Sequence, residues 1–497
     1  MRGMRAGAPR SVCTFSRCRH GPVPSTEFPV DLNLGRRISV LAMTAAPPTG
    51  TTTEPRLDQG SVRWFQVGSV ALISFLAFEA LAVGTVLPKA AAQFGATAEY
   101  SVAFGAAFAA MIVAIAWAGP WVDRSGVRPP LVVGGILFVA GLVLVGSAQG
   151  MNVLALGRAV QGLGSGVLSV VLYAMVGRLI PADGRPRIFA AFSTAWVVPS
   201  LVGPAIAGLT ADTVGWRWVF LGIAVPAFAA LAATLRATVG LDETGFVSDG
   251  APNRTVLVAA LVAGASTAVA QFAAPRGAGF LVLTAACLVV AIAATRRMLP
   301  AGSLVGRSGI PRLVLTNLLM AGTFFAAEIY VPLYLVHIDA MSPFAAGSVM
   351  TGAALLWAGA AQVQARVPAS GPARRRLPLI GSSLVLASLV GVAISFAVDA
   401  PWPVIFAAWA IGGLGMGLTY PTLSVLVLGA SADDEQGANS SALKLADSVG
   451  TALTIACAGA VFAQVLDWGH TGFAVTMLVP ITAGVLTVLV ASRLRGD

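Results

Sequence analysis

Four ionisable side chains interrupt long apolar segments of this chain. Glu79, Glu328 and Asp447 are carboxylates within such segments, and Arg158 stands near the start of another. Shielding from water disfavours the charged form of a carboxyl group, so that it can take up and release a proton near neutral pH. An ionisable group inside a bilayer is costly and is by default a functional candidate. We therefore interpret these four residues as candidates for proton coupling.

Each candidate also has a purely structural interpretation. The carboxyl groups of Glu79 and Glu328 can be neutralised by a structural hydrogen bond. Asp447 follows Lys444 by three positions, which places both on one helix face and lets the two charges neutralise each other. Arg158 can extend its side chain to the membrane interface instead of staying buried.

The composition is that of a polytopic membrane protein. The chain has 497 residues, of which 57% are hydrophobic and 10% are charged, whereas soluble domains carry about 25% charged residues. The net charge of +10 does not indicate a nucleic-acid partner, because the arginines fall in alternate gaps between apolar segments. The four cysteines show no metal-ligand spacing. No nucleotide-binding loop, nucleophile elbow or zinc motif is found, so we expect no enzymatic activity, cofactor or metal.

Apolar segments long enough to cross a bilayer recur along the chain and predict an all-α membrane protein with fourteen transmembrane helices. The seventh and eighth segments are short and rich in alanine; if they lie on the surface, the count is twelve. The segments lie at 67–88, 101–122, 130–149, 151–176, 188–210, 215–236, 255–273, 278–295, 312–336, 344–364, 377–398, 402–429, 438–464 and 472–492.

The basic residues predict the orientation of these segments. The gaps expected inside the cell hold most of the arginines, whereas the outer gaps hold Lys89, Arg217 and Arg276. Cytoplasmic loops carry such an excess of Arg and Lys. We expect a multi-pass protein of the plasma membrane with both termini in the cytoplasm.

Four regions are expected along the chain. Residues 1–62 are polar and aperiodic and predict a disordered cytoplasmic tail; we hypothesise that Met43 is the true start and that residues 1–42 are a mis-called extension. A six-helix half follows over 63–236, then two linking helices over 237–300, then a second six-helix half over 301–497. Parallel halves with a site between them are typical of transporters.

The loop between the second and third segments carries a specific pattern of residue types. Gly119 allows a helix to end close against another, and Gly126 permits a tight turn. Asp123 can accept hydrogen bonds from a nearby helix start. Arg124 and Arg128 hold the loop in the cytoplasm and can pair with Asp123. This pattern resembles the loop signature of the major facilitator superfamily of secondary transporters.

A second resemblance lies in the fourth segment. Arg158 is followed by Gln161 and Gly162, as in the superfamily signature Arg-x-x-Gln-Gly. The small residues Gly162, Gly164 and Gly166 also predict close helix contact. The glycines at 412, 413, 415 and 417 predict the same in the twelfth segment.

The fifth segment resembles the signature of proton-driven drug exporters. Its Gly203-Pro204 step is followed by Gly208, but Pro199 stands where the signature has an upstream glycine, and Ala207 replaces one glycine of the final pair. Two prolines within one membrane helix also predict a bend.

The first segment is similar to that of fourteen-span drug:proton antiporters, in which an acid leads a stretch ending in Leu-Pro. Here the acid is Glu79 instead of Asp, the end is Leu87-Pro88, and Gly84 stands where a polar Asn is expected.

The resemblance implies a major facilitator fold and a transporter that works by alternating access. Glu79 would bind a proton from outside, and Arg158 would sense its charge. Asp123 and its Arg neighbours would latch the outward-open state. The implied function is proton-coupled export of drug-like or amphipathic small molecules by a monomer in the lipid bilayer. The alternatives are an exporter or proton symporter of a native metabolite, siderophore or lipid, or a transport-dead scaffold or sensor.

Overall fold

A computed structural model describes residues 59–180, 184–239, 253–368, 371–432 and 435–495. The expected tail lies outside these ranges up to residue 58, as does the alternative start at Met43. The first helix begins at Gln59 and so overlaps the end of the expected tail at residue 62. The helix continues into polar residues beyond its apolar part, because their backbone N–H and C=O groups also pair within the helix.

The described residues form three groups of helices, and no β-strand occurs among them. The first group comprises α1 (Gln59–Gln93), α2 (Tyr100–Ser125), α3 (Arg128–Gly146), α4 (Met151–Leu179), α5 (Arg185–Thr213) and α6 (Arg217–Arg236). The second comprises α7 (Arg254–Ala273) and α8 (Leu281–Thr295). The third comprises α9 (Ile310–His337, interrupted at Ile329), α10 (Pro343–Ala365), α11 (Pro372–Ala397), α12 (Trp402–Ala430), α13 (Gln436–Val465) and α14 (His470–Ser492).

The helix lengths match the thickness of a bilayer. Thirteen helices in the described part of the chain are long and apolar enough to cross a membrane, since about 20 residues span the hydrocarbon core. The remaining helix, α8, has 15 residues and follows a short 3-10 turn, Ala278–Phe280. The all-α fold is confirmed, and α7, one of the two doubtful segments, has spanning length.

Helices α1–α6 pack together as one bundle, and α9–α14 pack together as another; we call them the N-terminal and C-terminal bundles. Glycines allow their backbones to approach closely. In α4, a Cβ atom added to Gly162 or Gly164 would collide with the backbone of α2 or α3, and in α12 one added to Gly413 would collide with the backbone of α10. The predicted close packing of both segments is confirmed.

One face of the protein is rich in arginine. Arg124, Arg178 and Arg236 lie at the ends of α2, α4 and α6, and Arg128 at the start of α3. We call this end the Arg-rich face and the other end the opposite face. Gly126 turns the chain between α2 and α3 with a φ of 75°, a conformation that favours glycine, so the predicted tight turn is confirmed.

The two bundles meet most closely near the opposite face. There α1 packs against the last part of α9, Tyr330–His337, and against α10. A Cβ atom added to Gly208 of α5 would lie 2.5 Å from Phe344 Cα, and one added to Gly347 would lie 2.5 Å from Pro204 O. The bundles are therefore joined at the opposite face by α1 with α9 and by α5 with α10.

Helices α7 and α8 form a hairpin at the edge of the two bundles. Helix α7 packs on α2 of one bundle and on α13 of the other. Gln271 of α7 donates a hydrogen bond to Ala452 O of α13 at 3.4 Å, and Gly264 lies close to the backbone of α2 at Ala109. The hairpin therefore covers the α2–α13 seam from outside.

Candidate functional site

Two of the predicted charges meet inside the N-terminal bundle. Arg158 Nη1 of α4 pairs with Glu79 Oε1 of α1, and the two side chains are 6% and 7% exposed. Arg158 Nη1 also donates to Gln161 Oε1 at 2.7 Å, and Arg158 Nε donates to Ala103 O at 3.3 Å. These acceptors come from α1, α2 and α4, so three helices hold the guanidinium of Arg158, which in turn compensates the charge of Glu79.

The local sequence of α4 explains why Arg158 stays inside. Gly157 lies against the backbone of α3 at Val145, and Gly162 lies against α2 at Ala107. Helix α4 is therefore held tightly between its neighbours, and the arginine between these glycines faces the bundle interior. The alternative in which Arg158 extends to the membrane interface is wrong, because the residue is 5% exposed and its guanidinium is paired.

Glu328 lies at the interruption of α9, next to Ile329. The Ile329 carbonyl accepts a hydrogen bond from Tyr100 OH of α2 at 2.9 Å, which joins the bundles beside this carboxyl group. Among the described residues, Glu328 has no cation or hydrogen-bond donor in contact with its carboxylate. Its role remains a prediction.

Asp447 of α13 is held by two neighbours. Its Oδ2 pairs with Lys444 Nζ at 3.0 Å, and its Oδ1 accepts from Tyr420 OH of α12. The carboxylate is 11% exposed and the lysine 45%. The three-residue spacing thus produces the ion pair that the sequence allowed, and a role of Asp447 in proton coupling remains a prediction.

The loop between α2 and α3 differs from expectation in two contacts. Asp123 Oδ1 pairs with Arg178 Nη2 at 2.5 Å, and Arg178 Nη1 also donates to Val122 O at 3.1 Å. Pairing of Asp123 with Arg124 or Arg128 is not found among the described residues; the end of α4 supplies the cation because α2 and α4 pack along their length. Gly119 was expected at a close contact, but a Cβ atom there would meet nothing within 4 Å.

The signature residues of α5 lie within one continuous helix. Pro199, Gly203, Pro204 and Gly208 are all buried, and both prolines lie inside α5. Gly203 is in ordinary contact with the ring of Phe78, at 3.5 Å. Gly208 and Pro204 contact α10, so this face of α5 forms the seam between the bundles.

A polar contact beside this seam has no counterpart in the sequence reasoning. Asp212 Oδ2, near the end of α5, accepts from the backbone N of Phe344 at the start of α10, at 3.1 Å. Asp212 Oδ1 also lies 3.5 Å from Lys89 Nζ of α1. A carboxylate at a helix start satisfies unpaired N–H groups and favours the helix dipole. Its position beyond the apolar segment gave no signal that it would contact the other bundle.

Comparison with known proteins identifies the class. The family model of the Major Facilitator Superfamily matches residues 67–453. The chain belongs to this superfamily of membrane transporters.

Two curated relatives narrow the resemblance. A probable multidrug-efflux transporter of Mycobacterium tuberculosis is 27% identical over 421 residues, which cover 79% of this chain and 86% of that relative. The multidrug transporter protein MdtP of Bacillus subtilis is 25% identical over 408 residues, which cover 79% of this chain and 74% of that relative. The chain is thus similar to multidrug transporters over most of its length.

Solved structures share the fold. An auto-inhibited peptide transporter of the POT family superposes with a TM-score of 0.63 at 14% identity, covering 88% of this chain and 96% of that one. The xylose transporter XylE from E. coli, in a partially occluded inward-open conformation, superposes with a TM-score of 0.57 at 16% identity, covering 86% and 96%.

Proposed function

We propose that this protein exports drug-like or amphipathic small molecules from the cytoplasm across the plasma membrane, as a monomer, in exchange for protons. The observation that carries the proposal is the buried ion pair of Glu79 and Arg158 in a two-bundle transporter fold. A carboxylate shielded from water and balanced by a single arginine links its own protonation to the contacts of that arginine. The similarity to multidrug transporters supports a substrate of this class.

The distribution of arginines supports an orientation of the protein in the membrane. The Arg-rich face corresponds to the cytoplasm, because cytoplasmic loops of membrane proteins carry the excess of Arg and Lys. With this assignment both termini are cytoplasmic and the bundles are joined at the outer face, so in this proposal the cleft between the bundles opens to the cytoplasm. Substrate would therefore enter in the conformation that the structure shows.

Proton exchange follows from the partners of the pair. When Glu79 is ionised it holds Arg158, as in the structure. A proton that reaches Glu79 from the outside cancels the ion pair, and Arg158 keeps its hydrogen bonds to Gln161 and Ala103. The return of the bundles to the cytoplasm-open state then restores the ion pair and releases the proton inside. Each such cycle carries the proton of Glu79 inward, so an inwardly directed proton gradient drives export.

The other two carboxylates take different places in this proposal. Glu328 lacks a cation partner among the described residues and stands beside the hydrogen bond that joins the bundles, which suits a second proton-binding group. Asp447 is already paired with Lys444 and Tyr420. We therefore assign Asp447 a smaller part in proton movement than Glu79 and Glu328.

The loop of Gly119, Asp123, Arg124, Gly126 and Arg128 would form the cytoplasmic latch of the outward-open state. In the present conformation the side chain of Asp123 is 57% exposed and contacts its own bundle through Arg178. Its carboxylate thus faces the cytoplasmic side while the cleft is open there, which suits a group that engages the C-terminal bundle after the cleft closes.

The proposal is tested with purified protein in liposomes under an imposed pH gradient, with several amphipathic dyes as substrates. Transport that depends on the gradient should be lost in Glu79→Gln and kept in Glu435→Gln, a matched control at an exposed position outside the pair. Glu79→Gln that still moves dye against its gradient with proton coupling intact would refute the role of Glu79. Dye movement in the same direction as the protons would show a symporter instead.

A further inference from the structure

Three aromatic side chains of the C-terminal bundle form an incompletely buried cluster. The rings of Phe325 (α9), Trp357 (α10) and Tyr420 (α12) lie 6.0 to 6.4 Å apart, centroid to centroid. All three are partly exposed, whereas Phe324 and Trp409 behind them are 2% and 1% exposed. Phe324 and Trp409 fill the core of the bundle, whereas the other three rings leave part of their surface accessible. We call these three residues the aromatic trio.

A fixed charge stands beside the aromatic trio. Tyr420 OH donates to Asp447 Oδ1, and Asp447 Oδ2 pairs with Lys444 Nζ at 3.0 Å. Both carboxylate oxygens are therefore occupied within the protein. The side chain of Lys444 is 45% exposed and that of Asp447 11%, so a molecule beside the trio meets the ammonium group before the carboxylate.

The ammonium group lies near the other bundle. Tyr173 of α4 lies within electrostatic range of Lys444, and α4 belongs to the N-terminal bundle. Tyr173 and Lys444 are both exposed, which indicates open space between the bundles here, and Asp447 connects Lys444 to Tyr420 of the trio. The charges of Glu79 and Arg158 compensate each other, and so do those of Lys444 and Asp447, but in the second pair the lysine is much the more exposed partner and turns its positive charge outward.

We propose that the aromatic trio and Lys444 form a subsite for a planar aromatic molecule that carries a carboxylate group. The ring of the ligand packs on Phe325, Trp357 and Tyr420, since aromatic pairs gain beyond their buried area. The carboxylate of the ligand pairs with Lys444, which Asp447 holds in place. This inference rests on the proposed function, because it names a substrate class for the same cleft.

An aromatic cation fits the same rings less well. Ring faces attract cations, but the carboxylate that would hold a cation here is occupied by Lys444 and Tyr420. The exposed ammonium group repels a second positive charge. Charge, not ring stacking, therefore separates the two ligand classes at this subsite.

Binding to the purified full-length protein in detergent, measured by calorimetry, tests the subsite. The probes are 2-naphthoate, the neutral 2-naphthamide and the cation 2-naphthylmethylammonium, which share one ring system. We expect naphthoate to bind about fivefold more tightly than naphthamide, the ratio for a partly exposed ion pair, and the cation to bind most weakly. Equal affinities for naphthoate and naphthamide, tightest binding of the cation, or no binding of any probe would overturn the inference.

Variants separate the charge from the rings. Lys444→Gln should bring the naphthoate-to-naphthamide ratio to about one, and Lys444→Arg, which keeps the charge, should retain it. Phe325→Leu should weaken both probes equally and leave the ratio unchanged. Arg366→Gln removes an exposed cation at the end of α10 and serves as the charge control. Because the ratio is measured within one sample, partial misfolding does not alter it; a ratio retained in Lys444→Gln would refute the subsite.

The failure of this inference is distinguishable from failure of the proposed function. Binding in detergent requires no proton gradient. If the naphthoate-to-naphthamide ratio is about one but proton-driven export is intact, only the subsite is refuted. If the ratio is as expected but proton-driven export is absent, only the proposed function is refuted.

Discussion

The ion pair of Glu79 and Arg158 makes a strong prediction about stability. With both side chains 6–7% exposed, removal of one partner leaves a buried charge without its counter-ion, which costs about 3–5 kcal/mol. Glu79→Gln should fall at the lower end, about 3 kcal/mol, because Arg158 keeps its hydrogen bonds to Gln161 and Ala103.

Removal of both charges should cost less than the two single changes together. The variant with Glu79→Gln and Arg158→Gln leaves a neutral polar cluster in place of an unpaired ion. We expect an interaction free energy of about 2–3 kcal/mol between the two sites, within the range for contacting residues. Equilibrium unfolding of the purified protein in mixed micelles provides the four free energies of the cycle.

The pH dependence provides an independent check on the same pair. Glu79 can take up a proton when Arg158 is replaced, so the cost of Arg158→Gln should shrink as the pH falls. Arg158 keeps its charge, so the cost of Glu79→Gln should shrink only once Glu79 of the unaltered protein is itself protonated, and that requires a lower pH while the pair is intact. Free energies that add within about 0.5 kcal/mol in the double variant would refute a pairwise charge interaction at this site.

Three further predictions follow from contacts elsewhere in the protein. Gly208→Val should disfavour the conformation seen in the structure, because a Cβ atom at Gly208 already meets the backbone of α10. Cysteine accessibility from each side of the membrane measures this shift, and unchanged accessibility would contradict it. Asp123→Asn should reduce the free energy of unfolding by less than about 1 kcal/mol, since the Asp123 side chain is 57% exposed, yet it should lower the transport rate strongly; an unchanged transport rate would contradict a latch. Burial and the nearby Asp399 carboxylate raise the pKa of Asp339 in the loop after α9, so its charged form is disfavoured in the folded state; Asp339→Asn should therefore stabilise the protein at pH 7 and have no effect at pH 3, and thermal unfolding at both pH values checks the sign.

The sequence predicts the helices well because their signal is local. A run of about 20 apolar residues defines a span without reference to any neighbour, so the order of the fourteen helices agrees with the structure. The ends are less accurate: α1 begins eight residues before the apolar segment at 67–88. Helix α8 has 15 residues and is the weakest span in both the sequence and the structure.

Pairings between distant residues are harder to predict. The intramembrane position of Glu79 and Arg158 identifies both as candidates, but 79 positions separate them, and the sequence alone does not show that they touch. Arg178 as the partner of Asp123 depends on how α2 and α4 pack. The aromatic trio comes from three separate helices, and single aromatic residues in apolar segments do not stand out. Lys444 and Asp447 are the exception, because the helix period itself places them together.

The α7–α8 hairpin determines how the cleft communicates with the surrounding lipid. Its contact with α2 is between backbones, at Gly264 and Ala109, and cannot stretch, whereas its hydrogen bond from Gln271 to α13 is long and exchangeable. When the bundles rotate relative to each other, the hairpin should therefore move together with the N-terminal bundle and slide over α13. The hairpin should therefore keep acyl chains out of the α2–α13 seam throughout the transport cycle.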